Sequence, residues 1–281
     1  MTLAAPEMTR SGLHLLRQDA FGVISDDSAY WIGFMFADGC VEKDGKRISL
    51  RLSECDRGHL VRFRDFLGST HPITECPAGN FGGYASKPSC RLSIGSKRLA
   101  TRLLELGRYD GDIPAKLRNS RHFWRGVVDG DGSVGRRAGG FPDFQVVGSK
   151  RLMDAFLGFL TREGVAARMS VRPSKSIFTV ATAGHTAAAI MRVLYDNAPL
   201  ALNRKARKVM DILAEADARR TQAQEIKASK LETIREQYEA GYSLKKIGTQ
   251  LGCSDVTVMR WMKEAEMPRR RRTGGRRRDR G

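Results

Sequence analysis

The chain has 281 residues, enough for a two-lobed core and a small additional domain. Hydrophobic residues make up 41% of the sequence, which argues against wholesale disorder, and no segment approaches the ~20 apolar residues that span a bilayer. The formal net charge of +18 predicts a polyanionic partner, because Lys and Arg side chains that neutralise phosphates release condensed counterions.

The cysteines and the N-terminus indicate the compartment. No pair of the five cysteines has C-x-x-C spacing, which argues against a zinc ribbon and against a disulfide framework. Met1–Gly12 lacks a basic segment followed by an apolar core, so we expect no secretion signal. We therefore expect reduced thiols and a cytoplasmic, nucleoid-associated protein.

A weak internal duplication follows a lead-in of residues 1–25, which carries a possible helix around Leu15. Ser28–Val41 and Arg121–Val134 are both apolar runs of helix length with a central glycine and a small-Asp-Gly ending. Strand and helix signals follow each run in the same order. The pattern predicts an α+β fold with two pseudo-symmetric αββαββα lobes, at 26–112 and 113–220.

The strongest strand signal lies in the first copy. Residues 47–53 alternate polar and apolar side chains without a miss, which is the period of a half-buried strand. Asp44-Gly45, just before it, is a hairpin signal. The other elements predicted in this copy are a helix at 56–67, a strand at 91–94 and a helix at 96–106.

The second copy repeats these signals and continues into a basic helix. Its predicted strands lie at 143–147, 168–172 and 176–183, and its predicted helices at 150–163 and 185–195. A basic helical stretch from Leu202 to about Arg220 connects this copy to the C-terminal region.

The C-terminal region resembles a helix-turn-helix domain, with bounds of 225–267. A helix that contains Ile234 and Tyr238 is expected to end at Gly241. Two further helices follow, with Gly252 in the turn between them and Ser254 capping the second. The candidate DNA-binding residues on the second helix are Asp255, Thr257, Arg260 and Lys263. A helical domain for protein contacts is the alternative, but residues 268–281, with eight arginines, favour DNA and should be disordered until they meet phosphate.

The two apolar helices carry the candidate site. A glycine inside a helix costs roughly 0.5–1 kcal/mol relative to alanine, so Gly33 and Gly126 are expected where two backbones approach closely. Such packing would bring Asp38 and Asp131 together at the negative ends of two helix macrodipoles. A divalent cation would turn this repulsion into an oxygen-ligand site. The alternative is that the glycine after each acid is simply a left-handed helix cap.

Trp31–Gly39 and Phe123–Ser133 resemble the paired motifs of double-motif LAGLIDADG homing endonucleases. The resemblance covers residues 25–215 and implies a monomer that acts as a pseudo-dimer and makes a double-strand break in DNA with Mg²⁺ or Mn²⁺. It also implies Asp38 and Asp131 as metal ligands, with the carbonyl groups of Ala37 and Gly130. The first motif has Phe36 where the family has an acid, and its counterpart Asp129 is expected to be a structural acid or one that supports the metal ligands, and not a ligand itself.

The resemblance also implies one basic residue near the reacting water in each half. Ile113–Lys116 is similar to the Pro-x-Lys segment of the family, and Leu202–Lys205 to the corresponding stretch of the second half. Lys116 and Lys205 are therefore the candidate basic residues of the catalytic site. An ordinary phosphate-facing or solvated cation is the alternative for both residues.

The strands would form a saddle beneath the two helices, and their polar faces would read DNA. A two-stranded ribbon fits the major groove, where Arg recognises guanine and Gln recognises adenine. A solvated sheet face is the alternative. The candidate DNA-binding residues of the two sheets are Arg47, Ser49, Arg51, Arg91, Ser93, Gln145, Arg168, Ser170 and Arg172.

Two other functions compete with the nuclease. A transcription regulator can combine a degenerate LAGLIDADG scaffold with a helix-turn-helix domain, but it lacks the metal-binding acids, so the presence of Asp38 and Asp131 favours the nuclease. An RNA maturase stays open. An intein is not expected, because the residues before the first motif leave no room for a splicing domain.

Overall fold

The computed structural model describes residues 8–11, 13–81, 84–108, 111–166 and 169–270. Arg168 and most of the predicted Arg-rich tail, residues 271–281, lie outside the described residues. The chain divides into two compact units, Met1–Ala216 and Asp217–Gly281. The first predicted lobe, 26–112, falls in the first unit, and so does the second, 113–220, except for its last four residues. The exact bounds of both lobes stay predictions.

The N-terminal segment forms a hairpin and not the helix expected around Leu15. Strands β1 (Met8–Ser11) and β2 (His14–Arg17) pair antiparallel. The backbone of β2 is held from the other side, because the N–H of Leu15 donates to Thr70 Oγ1 (2.9 Å) and that of Arg17 to Leu67 O (2.8 Å). These non-local bonds fix an extended chain where local propensity alone predicted a helix.

The first lobe has the predicted order of elements with one added hairpin. Its sheet is antiparallel in the order β3-β4-β8-β5, and β6 and β7 form the separate hairpin, which no sequence signal predicted. The elements are α1 (Asp26–Ala37), β3 (Gly39–Val41), β4 (Arg47–Ser53), α2 (Arg57–Phe66), β5 (Ile73–Cys76), β6 (Gly79–Phe81), β7 (Tyr84–Ser86), β8 (Ser89–Gly95) and α3 (Lys97–Glu105).

The second lobe repeats the topology of the first. Its sheet has the order β9-β10-β12-β11, so in both lobes the strands lie first, second, fourth, third across the sheet. A short helix, α4 (Ala115–Arg118), precedes it. The elements are α5 (Arg121–Asp131), β9 (Gly132–Arg136), β10 (Pro142–Gly148), α6 (Lys150–Arg162), β11 (Arg172–Ser174), β12 (Ile177–Ala183) and α7 (Gly184–Tyr195). The α+β fold with two αββαββα lobes is confirmed.

One strand of the second lobe is displaced from its predicted position. The expected strand at 168–172 is replaced by β11, which begins at Arg172. The tight turn to β12 decides this register: Lys175 has a positive φ of 54°, and Ser174 pairs with Ile177 across the turn. Pro173 lacks an N–H group and is tolerated because β11 is an edge strand.

Helices α1 and α5 pack against each other at the centre of the first unit. A Cβ on Gly33 would collide with the carbonyl oxygen of Phe123, and one on Gly126 with that of Tyr30. The close approach predicted from these two glycines is confirmed. Since side chains surround α1 almost completely, nine of its twelve residues are buried.

The second unit is a small helical bundle. Its first helix is the C-terminal part of α8 (Asn203–Glu239), whose N-terminal part, with Lys205, belongs to the first unit. Helix α8 is continuous, where two separate helices were predicted, because no Gly or Pro interrupts it. It is followed by α9 (Leu244–Gln250) and α10 (Asp255–Glu264). Ser254 caps α10 and Gly252 has a positive φ of 66° in the turn, both as predicted. The buried core of the unit consists of Ile234, Ile247, Val258 and Met262.

Among the described helices, none combines the length and the hydropathy required to cross a bilayer.

Candidate functional site

The C-terminal ends of α1 and α5 lie side by side. A Cβ on Gly130 would collide with the side chain of Ala37 and would lie 3.3 Å from the backbone nitrogen of Asp38. Asp131, the next residue, is close enough to raise the pKa of the Asp38 carboxyl. The structure therefore brings together the four residues that the sequence singled out as metal ligands.

The glycines that follow the two acids are not left-handed helix caps. Asp38 is itself the last residue of the helical turn, with its N–H donating to Phe34 O (3.0 Å). Neither Gly39 nor Gly132 has a positive φ, and Gly132 has φ −93° and ψ 159°. A Cβ at either position would come within 2.5 Å of a carbonyl oxygen of the preceding turn. Glycine is required here for close approach, so the capping alternative is wrong.

Both acids are held in an unfavourable electrostatic environment. Partial burial, followed by the charge of Asp131, raises the pKa of Asp38 to about 6, although one side of Asp38 is open to solvent. Burial also raises the pKa of Asp131, while the nearby cations Arg108 and Lys205 act in the opposite direction. Two carboxylates at adjacent helix C-termini are thus repelled by each other and by the helix macrodipoles.

Lys205 lies against the C-terminal turn of α5. It is 6% exposed, and its Nζ donates to the carbonyl oxygens of Val128 (2.8 Å), Asp129 (2.7 Å) and Gly132 (2.6 Å), with Gly130 O at 3.3 Å. Burial lowers the pKa of its ammonium group to about 8. The cation satisfies the carbonyl groups that a helix leaves unpaired at its C-terminus. Lys205 is therefore a fixed charge beside both acids and not a solvated one.

Arg108 is the counterpart of Lys205 in the first half, and no sequence motif identified it. Its Nη2 donates to the carbonyl oxygen of Gly39 (2.6 Å), as the Lys205 ammonium does to that of Gly132. Arg108 follows the last helix of the first lobe, as Lys205 follows that of the second. Extending the internal duplication to these segments would have found it.

Lys116 is not brought to the acids. It is exposed on α4 and lines a small cavity with Ser25, Ser120 and His122, at the N-terminal ends of α1 and α5. Helix α1 has twelve residues, so its two ends are separated by ~18 Å at 1.5 Å per residue. The short Pro-x-Lys match thus pointed to the wrong end of the helix pair.

Asp129 holds the segment that carries Lys205. Its fully buried carboxylate accepts hydrogen bonds from Tyr30 Oη (2.7 Å), Tyr195 Oη (2.6 Å) and the backbone N–H of Leu202 (2.7 Å). It therefore ties together α1, α7 and the start of α8. This arrangement is the structural role expected for Asp129.

We predict that Asp129→Ala destabilises the protein by ~3–5 kcal/mol, because three buried donors lose their acceptor, of which Tyr30 Oη keeps His59 Nε2 (2.9 Å) as a partner. Urea denaturation measures the effect. Asp143→Ala is the matched control: its carboxylate is paired with Arg137 at the surface (2.7 Å) and should contribute ~1 kcal/mol or less. Equal losses of stability in the two variants would mean that the buried hydrogen bonds of Asp129 contribute no more than the surface ion pair of Asp143.

The comparisons with known proteins found similar structures only. No protein-family model matches the chain, and neither does any curated protein. Full-length DUF199/WhiA from Thermatoga maritima is 11% identical over 88% of this chain and 93% of that chain, with a TM-score of 0.45. The LAGLIDADG meganuclease I-AabMI, bound to uncleaved DNA, is 14% identical over 71% and 92%, with a TM-score of 0.47. The I-SmaMI LAGLIDADG homing endonuclease, bound to cleaved DNA, is 12% identical over 72% and 91%, with a TM-score of 0.48.

The sheet residues singled out as DNA-binding differ in accessibility. Strand β4 buries Ile48, Leu50 and Leu52, as its alternation predicted. Arg47, Arg51, Arg91, Gln145 and Arg172 are exposed on the sheet faces turned away from the helices, whereas Ser93 is half-buried.

Two serines differ from the expectation for a readout surface. Ser49 is 7% exposed beneath Arg91, whose Nη2 donates to its Oγ (3.3 Å), so Ser49 orients an arginine and is not itself accessible. Ser170 is exposed but lies outside the sheet, because β11 begins two residues later.

The candidate residues of α10 are also unequal. Asp255, Arg260 and Lys263 are exposed. Thr257 is half-buried and belongs to the helix cap, since its N–H donates to Ser254 Oγ (3.2 Å). Three of the four residues are therefore available to a partner.

We predict that Asp38→Asn stabilises the metal-free protein above pH 6. The raised pKa of Asp38 means that the ionised group is disfavoured in the folded chain, so stability is lost as pH rises from 3.8 to about 6. The uncharged amide of asparagine does not ionise, so the variant does not lose this stability as the pH rises. Thermal melting in chelator at pH 4 and pH 8 should show the gain at pH 8 alone, and the exposed control Asp211→Asn should show none. A gain of equal size at both pH values would contradict the prediction.

Proposed function

We propose that this protein is a site-specific endonuclease that binds double-stranded DNA across its two sheets and hydrolyses one phosphodiester bond in each strand with Mg²⁺. One observation carries the proposal: two carboxylates, Asp38 and Asp131, lie together at the C-terminal ends of two close-packed helices. Such a pair destabilises the metal-free fold, and a divalent cation is the partner that reverses the penalty.

The donor set fits a hard divalent cation. Among the described residues, no three His, Cys, Asp or Glu side chains gather as a metal site. The two carboxylates and the carbonyl groups of Ala37 and Gly130 would leave coordination positions of the metal to water and phosphate oxygens. Mg²⁺ is usually held in this way. When bound, the metal supplies Lewis-acid chemistry for phosphodiester hydrolysis.

The cations of the site would act on the DNA backbone. Lys205 and Arg108 are anchored on main-chain carbonyl groups at corresponding positions of the two halves. Because these two cations are already held in position, they would stabilise the negative charge that develops on the scissile phosphates. The site would not have to reorganise in the transition state. The duplication thus offers one acid and one cation for each strand.

The second unit would add DNA contacts through a helix-turn-helix formed by α9 and α10. Its exposed Arg260 and Lys263 lie on the second helix, which in such motifs enters the major groove. We expect this unit to increase affinity and salt dependence more than it changes the chemistry.

DNA binding without cleavage is the second candidate. The observation that favours it is the contact between the Lys205 ammonium and Gly130 O (3.3 Å), since a metal ligated by that carbonyl would meet a cation beside it. Such a protein would act as a regulator. The two candidates differ in whether bound DNA is cut when Mg²⁺ is added.

The test uses the purified full chain and a plasmid that carries the sequence flanking its own gene. With Mg²⁺ we expect linear product, and with chelator we expect bound but intact plasmid. Binding without cutting over a range of flanking sequences and metals would favour the regulator. Binding restricted to structured RNA would favour the maturase.

A further inference from the structure

The two sheet faces turned away from the helices differ in chemistry. The face of the first lobe presents three arginines, Arg47, Arg51 and Arg91, on β4 and β8. The register places Arg51 directly opposite Arg91. Like charges opposite each other destabilise an isolated sheet, so this pair is expected to serve a partner with hydrogen-bond acceptors.

Each of these arginines is oriented by a serine of the neighbouring strand. Arg51 Nε donates to Ser89 Oγ (2.8 Å), Arg91 Nη2 to Ser49 Oγ (3.3 Å) and Arg47 Nη1 to Ser93 Oγ (3.5 Å). Glu42 lies within 3.5 Å of Arg47 and 3.8 Å of Arg91. The guanidinium groups are therefore positioned before any ligand binds, and this lowers the entropic cost of bidentate recognition.

The corresponding face of the second lobe carries one strand arginine, Arg172, where that of the first carries three. Gln145 occupies its centre, with Ser133 and Ala181 directly beside it in register. The next row consists of Val147, Thr179 and Arg172. Asp143 on the same face is neutralised by Arg137 (2.7 Å). Gln145 is thus flanked in its own row by two small uncharged side chains, and an amide in such a setting suits adenine and the methyl group of thymine.

We infer that the DNA target has two halves of different composition: a G·C-rich half under the first lobe and a half richer in A·T under the second. The inference rests on one part of the proposed function, namely that the DNA is bound across both sheets. It follows from the bidentate match of Arg to guanine O6 and N7, and of Gln to adenine N6 and N7.

The test is selection of duplexes from a randomised library by the full chain in Ca²⁺, followed by sequencing. We expect the enriched sites to be G·C-rich in one half and A·T-rich in the other. Arg51→Ala together with Arg91→Ala should relax the G·C-rich half by about 5- to 150-fold per contacted guanine and leave the other half unchanged. Gln145→Ala should relax only the A·T-rich half.

Lys150→Ala is the matched control for lost charge, since Lys150 lies on α6 beside Asp154 (2.6 Å) and outside both sheets. All of these side chains are exposed, and melting curves verify that the variants fold. Halves of equal composition, or loss of selectivity in both halves from the arginine variants, would overturn the inference. If asymmetric sites are selected but stay intact when Mg²⁺ replaces Ca²⁺, the inference holds and the nuclease proposal fails. A library with no enrichment overturns both.

Discussion

Asparagine in place of either Asp38 or Asp131 is expected to abolish double-strand cleavage and to leave DNA affinity within about threefold of the parent. Asparagine keeps the size of the side chain but removes the charge that would hold the metal ion. A bound metal contributes several kcal/mol of transition-state stabilisation, so its loss corresponds to ~10³-fold or more in rate. Affinity changes little because phosphate contacts over the whole surface dominate binding. Single-turnover cleavage and gel-shift titration measure the two quantities.

The control for this experiment is Asp65→Asn, an exposed acid at the end of α2 beside Arg64. It removes one negative charge outside the helix pair and should leave the cleavage rate unchanged. The double variant, with both Asp38 and Asp131 replaced, should be no worse than either single variant within the detection limit. Cleavage that persists in the double variant would place the active site elsewhere in the chain.

The internal duplication and its periodicities predicted most of the fold. Strand β4 was predicted at its observed bounds because its two faces differ sharply: Leu50 is fully buried and Arg51 is exposed on the opposite face. The helix pair was predicted because a glycine inside an apolar helix requires a close neighbour. The strand is a local feature, and the contact between the two helices is not, but both leave a local signal in the sequence.

The features that sequence reasoning missed depend on contacts between distant segments. The hairpin at Leu15 exists because Thr70 and Leu67 accept hydrogen bonds from its backbone. Lys116 was chosen from a three-residue match, which carries no information on which end of a helix it will approach. Arg108 was missed because its role depends on one carbonyl group, at Gly39, far away in sequence.

The second large effect is expected from Gly126→Ala. The added methyl group would collide with the carbonyl oxygen of Tyr30 and lie 2.7 Å from the backbone nitrogen of Phe34. Backbone atoms of a packed helix cannot turn aside as a flexible side chain can, so α1 and α5 must move apart. Overpacking of this kind costs ~1–3 kcal/mol or more. Urea denaturation measures the loss, and cleavage at a temperature where the variant stays folded should fall with it, because separated helices no longer hold Asp38 beside Asp131.

The same substitution at Gly58 serves as the control, and its effect should have the opposite sign. Gly58 lies in α2, and a Cβ there would meet no atom within 4 Å. Alanine at an open helical position stabilises by ~0.5–1 kcal/mol, since it reduces the freedom of the unfolded chain. A Gly126→Ala variant as stable as Gly58→Ala would mean that the two helix backbones are not in contact. The carboxylate pair, which depends on that contact, would then lose its structural basis.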